Sequence, residues 1–517
     1  MKCLESSTGS KYALNKCRYI YETMTDYANG GNAYITSDYL YRLCKQRHKD
    51  LDIETFTANL SELFKNKLLT AEEGRIYLTE TWRYEERAAE ALAHIADLPV
   101  LPEAVVPSVM SVGQRTLCAE QRSAVQVALS HRLSMVLGGA GCGKSTLIRA
   151  IIQCADISAL QLVLCAPTGK AARVLTAHTG YQARTVHSAL GVRPDEDFLA
   201  PVRWGFIRLV IVDEASLLTI GMLAGILSRV PDDCRVVLLG DPNQLLSVGS
   251  GNVIPDLLDL GVPHIYLAQN HRMAAGAVGL VQNVRDFMMI HHPHEMTFDD
   301  SFRLEEYAHD EDVQKRLVAA AAACYLERDG VQVITPYRDK GPLSAAQLNE
   351  QIRAKVNPIT HKKKILLAGK RIFVDGDRVM IKKNDREHNV SNGDVGVLHV
   401  LRTTKNDWKY SIELPDGRIP VWQGPAARAA IEDVELAYAM TVHKAQGSEY
   451  DLVLMPLTAS MNGMLYRNLF YTAISRAREC VHIYGSSQAI DVALQTAPRA
   501  RLSKLVPKMR RRMTIVA

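Results

Sequence analysis

The sequence is organised around a glycine-rich stretch, GGAGCGKST, at residues 138–146. An apolar run at 133–137 precedes it and a second apolar run at 147–152 follows, which predicts a strand, a tight turn and the start of a helix. Glycines in such a turn let consecutive backbone N–H groups curl around phosphate oxygens, and the helix N-terminus adds a positive dipole end. The stretch therefore predicts a nucleotide-binding loop.

The pattern gives the polar side chains of this loop separate roles. We expect Lys144 to reach the β and γ phosphates of ATP, and the hydroxyl of Ser145 to ligate Mg²⁺. Gln121 lies on a predicted helix before the loop, where its amide can read the adenine edge with a paired donor and acceptor. The loop residues expected to line the nucleotide are Gly138, Gly139, Gly141, Gly143, Lys144, Ser145 and Thr146.

Length and composition describe an ordinary globular protein. A chain of 517 residues predicts about three or four domains. No apolar run approaches membrane-spanning length, and the start of the chain lacks the apolar stretch of a signal peptide. The ten cysteines are scattered without a CxxC pair, which indicates reduced thiols in the cytoplasm. A net charge of +5 permits a polyanionic partner without demonstrating one.

The first 110 residues carry no catalytic pattern. Residues 54–69 and 84–98 have helical apolar spacing, and 74–82 predicts a short β ribbon between them. This order is compatible with a winged helix, which could contact DNA or serve only as a packing unit. Pro102 and Pro107 mark a linker at its end. We therefore place an N-terminal, mainly helical domain at 1–110.

Three further apolar runs, at 161–166, 208–212 and 235–239, predict buried parallel strands of an α/β fold. Each ends in a polar cluster, and parallel strands bring such clusters to one edge of the sheet. After the second run, Asp213 would hold Mg²⁺ through water and Glu214 would orient or deprotonate the attacking water. After the third, Gln244 could sense the γ-phosphate.

These motifs, in this order, resemble those of superfamily 1 helicases, closest to the RecD-type branch. The later segments that carry the resemblance are YLAQNHR (266–272), QVITPYRDKGPLSAAQLNEQIRAKVNP (332–358), GDRVMIKKNDREHNVSNGDVGVL (376–398), AYAMTVHKAQGSEYDLVLM (437–455) and NLFYTAISRAR (468–478). The resemblance implies two RecA-like parallel-sheet motor domains, the second interrupted by a small SH3-like β-barrel. The implied boundaries are 111–263 for the first motor domain, 264–384 and 432–498 for the second, 385–431 for the barrel and 499–517 for a basic tail.

The resemblance also implies functional residues in the second half of the chain. Arg272 would contact the γ-phosphate, Arg476 falls at the arginine-finger position, and Gly447 would line the nucleotide. A single DNA strand would run across both motor domains, held through phosphates and sugars and not through bases. The residues implied to contact it are Pro167, Thr168, Lys170, Arg173, Thr185, His187, Thr335, Asn349, Thr441, His443 and Lys444.

Several features depart from the family pattern or remain open. Ala140 and Cys142 stand in the loop where relatives often have proline and threonine, and Met273 stands where glutamine is usual. The segment between His187 and Val210 is short, so any strand-separating hairpin there must be small. The IHHPHEM stretch, with His291, His292 and His294, favours a surface loop over a metal site. The basic tail could touch nucleic acid or be solvated.

The sequence as a whole predicts an ATP-dependent DNA helicase that uses Mg²⁺ and moves 5′ to 3′ on single strands; the direction rests on the resemblance alone. The expected partners are single-stranded DNA, single-strand/duplex junctions and a larger recombination, conjugation or CRISPR/defence complex, with no membrane. The alternative is a nucleotide-switched DNA-binding subunit that clamps or remodels a larger complex without separating strands. A small-molecule phosphotransferase would lack an acceptor site and leaves the later motifs unexplained.

Overall fold

Two parallel β-sheets, each flanked by helices, make up most of the molecule. The structure, a computed structural model, describes residues 10–107, 109–139, 141–193, 196–200, 204–269, 276–369, 371–403, 408–498 and 500–516. Over these ranges, every helix is too short or too polar to cross a membrane.

The N-terminal domain combines four helices with a small antiparallel sheet of strand order β1-β3-β2, the arrangement of a winged helix. Its elements are α1 (Ser10–Asn29), β1 (Tyr34–Thr36), α2 (Ser37–Arg47), α3 (Ile53–Lys65), β2 (Leu69–Glu72), β3 (Arg75–Leu78) and α4 (Thr79–Asp97). The carboxylate of Asp52 caps α3 by accepting the N–H of Thr55 at 2.7 Å. The ribbon begins earlier than the predicted range of 74–82, because its first strand, β2, starts at Leu69, the last residue of the predicted helix.

The first motor domain is a six-stranded sheet of order β11-β6-β10-β9-β7-β8 in which every neighbouring pair is parallel. Its elements are β4 (Ser111–Val112), β5 (Arg115–Thr116), α5 (Ala119–Ser130), β6 (Leu133–Gly138), α6 (Lys144–Cys154), β7 (Leu162–Ala166), α7 (Gly169–Thr179), β8 (Ala183–Thr185), α8 (Val186–Leu190), β9 (Leu209–Val212), α9 (Ile220–Leu227), β10 (Arg235–Gly240), α10 (Val253–Asp259) and β11 (His264–Leu267). Helices cover both faces, so β6 and β9 are buried along their whole length.

The second motor domain begins with α11 (Val278–Arg285), β12 (Phe302–Glu306), α12 (Asp310–Glu327), β13 (Val331–Thr335) and α13 (Ala345–Val356). A β-rich insertion then interrupts it. The insertion comprises β14 (Ile365–Ala368), β15 (Arg371–Val374), β16 (Arg378–Ile381), β17 (Val395–Thr403), β18 (Trp408–Glu413), β19 (Val421–Gln423), α14 (Gly424–Ala430) and β20 (Val434–Leu436). Its five-stranded antiparallel sheet has the order β19-β18-β17-β16-β20.

The insertion is larger than the sequence predicted. The predicted range, 385–431, leaves out β16 and β20, which pair with each other antiparallel. Val379, Met380 and Ile381 in β16 are all buried, so this strand lacks the alternation of a one-sided antiparallel strand. Its sequence therefore reads like one more strand of a parallel motor sheet.

The chain returns to the second motor domain with β21 (Ala439–Thr441), α15 (Val442–Ala445), β22 (Tyr450–Leu457), α16 (Arg467–Ile474), β23 (Ala477–Gly485) and α17 (Ser487–Gln495). These strands complete a parallel sheet of order β12-β23-β22-β13-β21. The α/β fold class, with two parallel-sheet motor domains, an SH3-like insertion and an N-terminal winged-helix-like domain, is confirmed.

The basic end of the chain folds back onto the first motor domain. Its helix, α18 (Leu505–Val516), packs along α4 and buries Leu505 and Met509 in the core. Lys508 is 2% exposed, and its ammonium lies 3.0 Å from Glu72 and 2.7 Å from Glu86. The expectation of a DNA-touching or solvated tail is wrong for Lys508, because it is buried beside carboxylates that lie more than 400 residues earlier in the chain.

The contact between α4 and α18 contains a buried carboxylate, Glu85. One of its oxygens accepts the N–H of Lys504 at 2.9 Å and the hydroxyl of Ser503 at 3.2 Å. Burial raises the pKa of Glu85 from 4.5 to about 7. Burial also raises the pKa of the neighbouring Asp256, to about 6. As pH rises, the folded protein therefore keeps protons on Glu85 and Asp256 that the unfolded chain has already released.

This pair makes stability depend on pH. Because the folded pKa values are raised, the free energy of unfolding should fall as pH rises from about 4.5 to about 7, and change little above that range. We expect Glu85→Gln to reduce this slope in thermal melts recorded from pH 5 to pH 8. Glu80→Gln, on the exposed part of the same helix, should keep the slope of the unmodified protein. An unchanged slope in Glu85→Gln would contradict the assignment.

Candidate functional site

A cavity of about 730 Å³ lies between the two motor domains. The residues of its wall that the sequence predicted are Gly141, Gly143, Lys144, Ser145, Thr146, Asp213, Glu214 and Gln244 from the first domain and Gly447 and Arg476 from the second. Parallel strands explain this assembly, because the loops after β6, β9 and β10 all leave the same edge of the sheet. The fold thus gathers into one cleft residues that are more than 300 positions apart.

The phosphate loop has the backbone that its glycines predict. Gly141 and Gly143 have φ values of +86° and +77°, in the left-handed region that L side chains seldom adopt. The Lys144 ammonium donates to the carbonyl oxygens of Gly138 at 2.7 Å and Gly139 at 2.8 Å, which holds it at the mouth of the loop. With the N-terminus of α6 at its base, this donor set fits a nucleotide phosphate chain.

The two acidic residues follow β9 directly. Asp213 accepts the N–H of Glu214 at 2.9 Å through Oδ1. Glu214 has a φ of +53°, a conformation that costs a non-glycine residue free energy. Such strain is typical of functional turns, since the surrounding structure must enforce it. Carboxylate oxygens on this turn fit Mg²⁺, a hard cation that prefers oxygen ligands.

The sequence did not indicate a third carboxylate, Asp241. It is fully buried after β10 and accepts the Gln244 amide at 3.2 Å and the hydroxyl of Tyr471 at 2.8 Å. Burial raises the pKa of Asp241 and raises that of Tyr471 well above its usual range. The two residues belong to different motor domains, and the motif GDPNQ gives no indication of the tyrosine partner.

Arg476 brings a cation into the cleft from the second motor domain. It is 4% exposed, and its guanidinium donates to the Thr472 carbonyl at 3.1 Å and the Ser475 hydroxyl at 3.2 Å. Within the described ranges, no carboxylate lies within salt-bridge distance of it. A buried cation that is solvated only by neutral oxygens is suited to a negatively charged ligand. The other predicted arginine, Arg272, lies outside the described residues.

Gln121 lies beside the phosphate loop. A second cavity, of about 380 Å³, is lined by Gln121, Cys118 and Thr116 and shares Gly143 and Thr146 with the main cleft. The side-chain carbonyl of Gln121 accepts the N–H of Cys118 at 3.2 Å, which fixes the orientation of the amide. The position agrees with an adenine-reading role, which stays a prediction.

Three threonines that were predicted to contact DNA occupy equivalent places. Thr168, Thr185 and Thr441 cap the N-termini of α7, α8 and α15, and each accepts a backbone N–H through its hydroxyl oxygen. Pro167 precedes the first of them and is half-buried. The hydroxyl hydrogens of the caps remain available as donors.

The predicted DNA-contacting cations have partners within the protein. Arg173 is ion-paired with Asp394 of the insertion, and Lys444 with Glu435. Lys170 donates to the Ser448 hydroxyl at 2.5 Å, across the two motor domains, and burial lowers its pKa to about 8. A phosphate that bound Arg173 or Lys444 would have to displace a carboxylate.

The remaining predicted DNA contacts are largely internal. The Thr335 hydroxyl is buried and donates to the Leu343 carbonyl at 2.7 Å. The Asn349 amide bonds to both the N–H and the carbonyl of Ala439, each at 2.8 Å. Burial lowers the pKa of His187 and of His443. Contacts from Thr335 or Asn349 to DNA would require these internal bonds to break.

The structure adds a groove that the sequence did not indicate. It has a volume of about 410 Å³ and lies between the second motor domain and the insertion. Its wall includes Asn349, Thr441 and Lys444, three of the residues predicted to contact DNA; we call the whole predicted set the DNA track. Three further cations line it, namely Arg338, Arg371 and Lys382. They are scattered over 45 positions, so no sequence pattern marks them as one surface.

The histidine cluster lies in the loop after α11. The ring of His292 is 2.9 Å from the Asp491 carboxylate and is stacked on that of His294, with 5.5 Å between centroids. In the part of the chain that the structure describes, no group of three or more histidine, cysteine, aspartate and glutamate side chains is placed to hold a metal ion.

Two parallel-sheet domains that share a phosphate-loop cleft, with a β-barrel inserted in the second, define a nucleotide-binding motor of the P-loop class. Family models identify three parts of it. An AAA domain matches residues 116–287, an ATP-dependent RecD-like DNA helicase SH3 domain matches 348–412, and a UvrD-like helicase C-terminal domain matches 436–484.

The chain is similar to several known proteins. The ATP-dependent RecD2 DNA helicase of Deinococcus radiodurans is 34% identical over 456 residues, which cover 87% of this chain and 61% of that relative. The RecBCD enzyme subunit RecD of Mycolicibacterium smegmatis is 29% identical, with 81% of this chain and 80% of the relative covered. A crystal structure of Bacteroides Pif1 bound to ssDNA is 18% identical, with a TM-score of 0.45 over 74% of this chain and 94% of that one. Over most of its length the chain is thus similar to RecD-type ATP-dependent DNA helicases.

The phosphate-loop lysine gives the most direct test of the cleft. We expect Lys144→Ala to lower ATP turnover by about 10²-fold or more, because the phosphate chain loses its ammonium partner. The change should leave the fold intact, since among the described residues the side chain bonds only to the loop's own carbonyls. A coupled ADP-release assay and a thermal melt measure the two effects. Turnover retained in a folded Lys144→Ala protein would contradict the site.

Arg476, the cation from the second motor domain, should affect ATP turnover more than ATP binding. We expect Arg476→Ala to reduce kcat by about 10³–10⁵-fold with a smaller change in KM for ATP, as for arginines that stabilise transferring phosphoryl groups. Arg476→Lys should be intermediate, because it keeps the charge and loses the planar fork. Arg316→Ala, an exposed arginine on α12, serves as the control. Equal effects of Arg476→Ala and Arg316→Ala would exclude the role.

Proposed function

We propose that this protein hydrolyses ATP with Mg²⁺ and uses the cycle to move along single-stranded DNA and open duplexes at single-strand/duplex junctions. The observation that carries the proposal is the shared cleft, to which Lys144, Asp213 and Gln244 come from one motor domain and Arg476 from the other. The chain spans 61% of the length of the Deinococcus relative.

The cleft explains why nucleotide binding would move the domains. Lys144 and Arg476 lie on opposite walls, so the phosphate chain meets both cations only when the walls are close. Binding therefore favours the closed arrangement, and hydrolysis with phosphate release removes that preference. Asp213 and the Ser145 hydroxyl would hold Mg²⁺, and Glu214 would orient the attacking water.

The residues predicted to contact DNA favour binding along the nucleic-acid backbone. Their side chains are hydroxyls, amides and cations, which suit phosphates and sugars, and the groove beside the insertion adds Arg338, Arg371 and Lys382. Loop 245–252 contains no aromatic side chain on which a base could stack. We therefore expect little sequence preference. Movement from 5′ to 3′ remains part of the proposal because it rests on family resemblance.

One observation favours the second candidate, a clamp or a motor whose wedge comes from a partner. Between β8 and β9, the described residues form no strand and hence no strand-separating hairpin. This segment is held against α4 instead. Asp197 pairs with Arg83 at 3.0 Å, and the Phe198 N–H donates to the Tyr84 hydroxyl at 3.4 Å. In this candidate, a partner in a recombination, conjugation or defence complex supplies the wedge.

Strand separation distinguishes the two candidates. With ATP and Mg²⁺, we expect the protein to unwind a duplex that carries a 5′ single-stranded tail and to leave one with a 3′ tail intact. Lys144→Ala is the negative control. Unwinding from the 3′ tail alone would overturn the direction. DNA-stimulated ATP hydrolysis without unwinding from either tail would support the second candidate.

A further inference from the structure

The end of the chain forms a strap across the N-terminal and first motor domains. We define the C-terminal strap as residues 500–516, which include α18. The Leu502 carbonyl accepts the N–H of Ala33 at 2.7 Å, and its N–H donates to the Asn32 side chain at 3.1 Å. These two hydrogen bonds place the preceding residue, Arg501, against the loop that follows Gln244.

Arg501 is bound to that loop by four hydrogen bonds. We define the sensor loop as residues 245–252. The Arg501 guanidinium donates to the hydroxyl and carbonyl of Ser247, at 3.1 and 2.5 Å, and to the carbonyls of Gly249 and Gly251, at 3.4 and 3.0 Å. No carboxylate among the described residues is within salt-bridge distance of it. Burial lowers the pKa of Arg501 to about 10. The guanidinium therefore stays charged at neutral pH, although burying a cation costs free energy.

The sensor loop needs such external support. Gly249 and Gly251 have φ values of +118° and +122°, which L side chains rarely adopt. Their N–H groups donate outside the loop, to the carbonyls of Asn29 at 3.1 Å and Gly31 at 3.0 Å. The N-terminal domain and Arg501 therefore hold the same few residues from two sides. A loop with this backbone has little local structure of its own.

The other end of the sensor loop contacts the second motor domain. The Leu245 N–H donates to the Thr472 hydroxyl at 2.8 Å, and the Leu245 carbonyl accepts the Gln446 amide at 3.0 Å. The Gln244 carbonyl accepts the Asn468 amide at 3.2 Å. Thr472 also accepts Arg476 through its carbonyl oxygen, at 3.1 Å. The loop thus leads from the Arg501 contact to groups that line the nucleotide cleft.

The sensor loop is also bound to the segment that carries residues predicted to contact DNA. Gln446, whose amide donates to the Leu245 carbonyl at 3.0 Å, lies three residues after His443. His443 belongs to the same short segment as Thr441 and Lys444, both of which line the groove beside the insertion. The fixed loop therefore lies between the place expected for DNA and the place expected for nucleotide.

We propose that Arg501 is a positioning residue of the motor, which fixes the sensor loop so that DNA on the track and nucleotide in the cleft influence each other. The inference rests on the proposed function, because it assumes that DNA stimulates ATP hydrolysis. A chain without Arg501 would leave the carbonyls of the loop without their shared donor, and the loop would adopt several conformations. Coupling between two sites is typically a 5- to 150-fold effect, and this effect should be reduced.

The test is the ratio of ATP turnover with saturating oligo(dT) to turnover without DNA. We expect Arg501→Ala to lower this ratio by at least about fivefold. Arg501→Lys should restore part of it, since an ammonium can reach some of the same carbonyls. Arg511→Ala, in the same strap but paired with Glu73 and outside the loop, should keep the ratio of the unmodified protein.

The ratio separates positioning from simple stabilisation. Loss of folded protein lowers both turnovers equally and leaves their ratio unchanged, and thermal melts of the three variants measure that loss directly. An unchanged ratio in Arg501→Ala, with DNA stimulation intact in the unmodified protein, would overturn this inference alone. An unmodified protein whose ATP turnover does not respond to oligo(dT) would overturn the proposed function, and this inference with it.

Discussion

The buried hydrogen bond between Tyr471 and Asp241 links the two motor domains. Asp241 directly follows β10, the strand beside the phosphate-loop strand, and Tyr471 lies on α16, the helix that leads to Arg476. An unpaired phenol at this depth would cost free energy, and Asp241 supplies its acceptor. Three further hydrogen bonds join the same parts of the two domains, from Thr472, Gln446 and Asn468 to Leu245 and Gln244. Together these contacts hold α16, and the cation that follows it, against the first motor domain.

The neighbourhood of this bond also explains how a distant segment could influence the cleft. The sensor loop starts four residues after Asp241 and bonds to Thr472, the residue after Tyr471. Its far end is held by the N-terminal domain and the C-terminal strap. Since packed interiors deform little, a change at one end of such a loop is transmitted to the other. The strap thereby extends the motor beyond the two parallel-sheet domains that the motifs describe.

The sequence predicted features that depend on residues close together in the chain, and it did not predict contacts between residues far apart. The strands β6, β9 and β10 were predicted to within a residue or two, because buried parallel strands are short, continuous apolar runs. The polar clusters after them followed from topology. Asp241 and Tyr471 are 230 positions apart, and Arg501 and Gly251 are 250 apart, so no periodicity connects them. The predicted boundaries of the insertion differ from those of the structure for a related reason. β16 has the apolar pattern of a motor-sheet strand, and its pairing with β20 shows that it belongs to the insertion.

The charges of the cleft show why both motor domains are needed. The wall of the first domain is lined by three cations and two carboxylates, namely Arg115, Lys144, Arg149, Asp213 and Glu214. The carboxylates would repel a nucleotide phosphate chain, except where Mg²⁺ bridged them. Arg476 adds positive charge from the other wall and bonds there only to neutral oxygens among the described residues. A magnesium nucleotide thus meets all of these charges only when the walls are together, and this requirement couples the chemistry to domain closure.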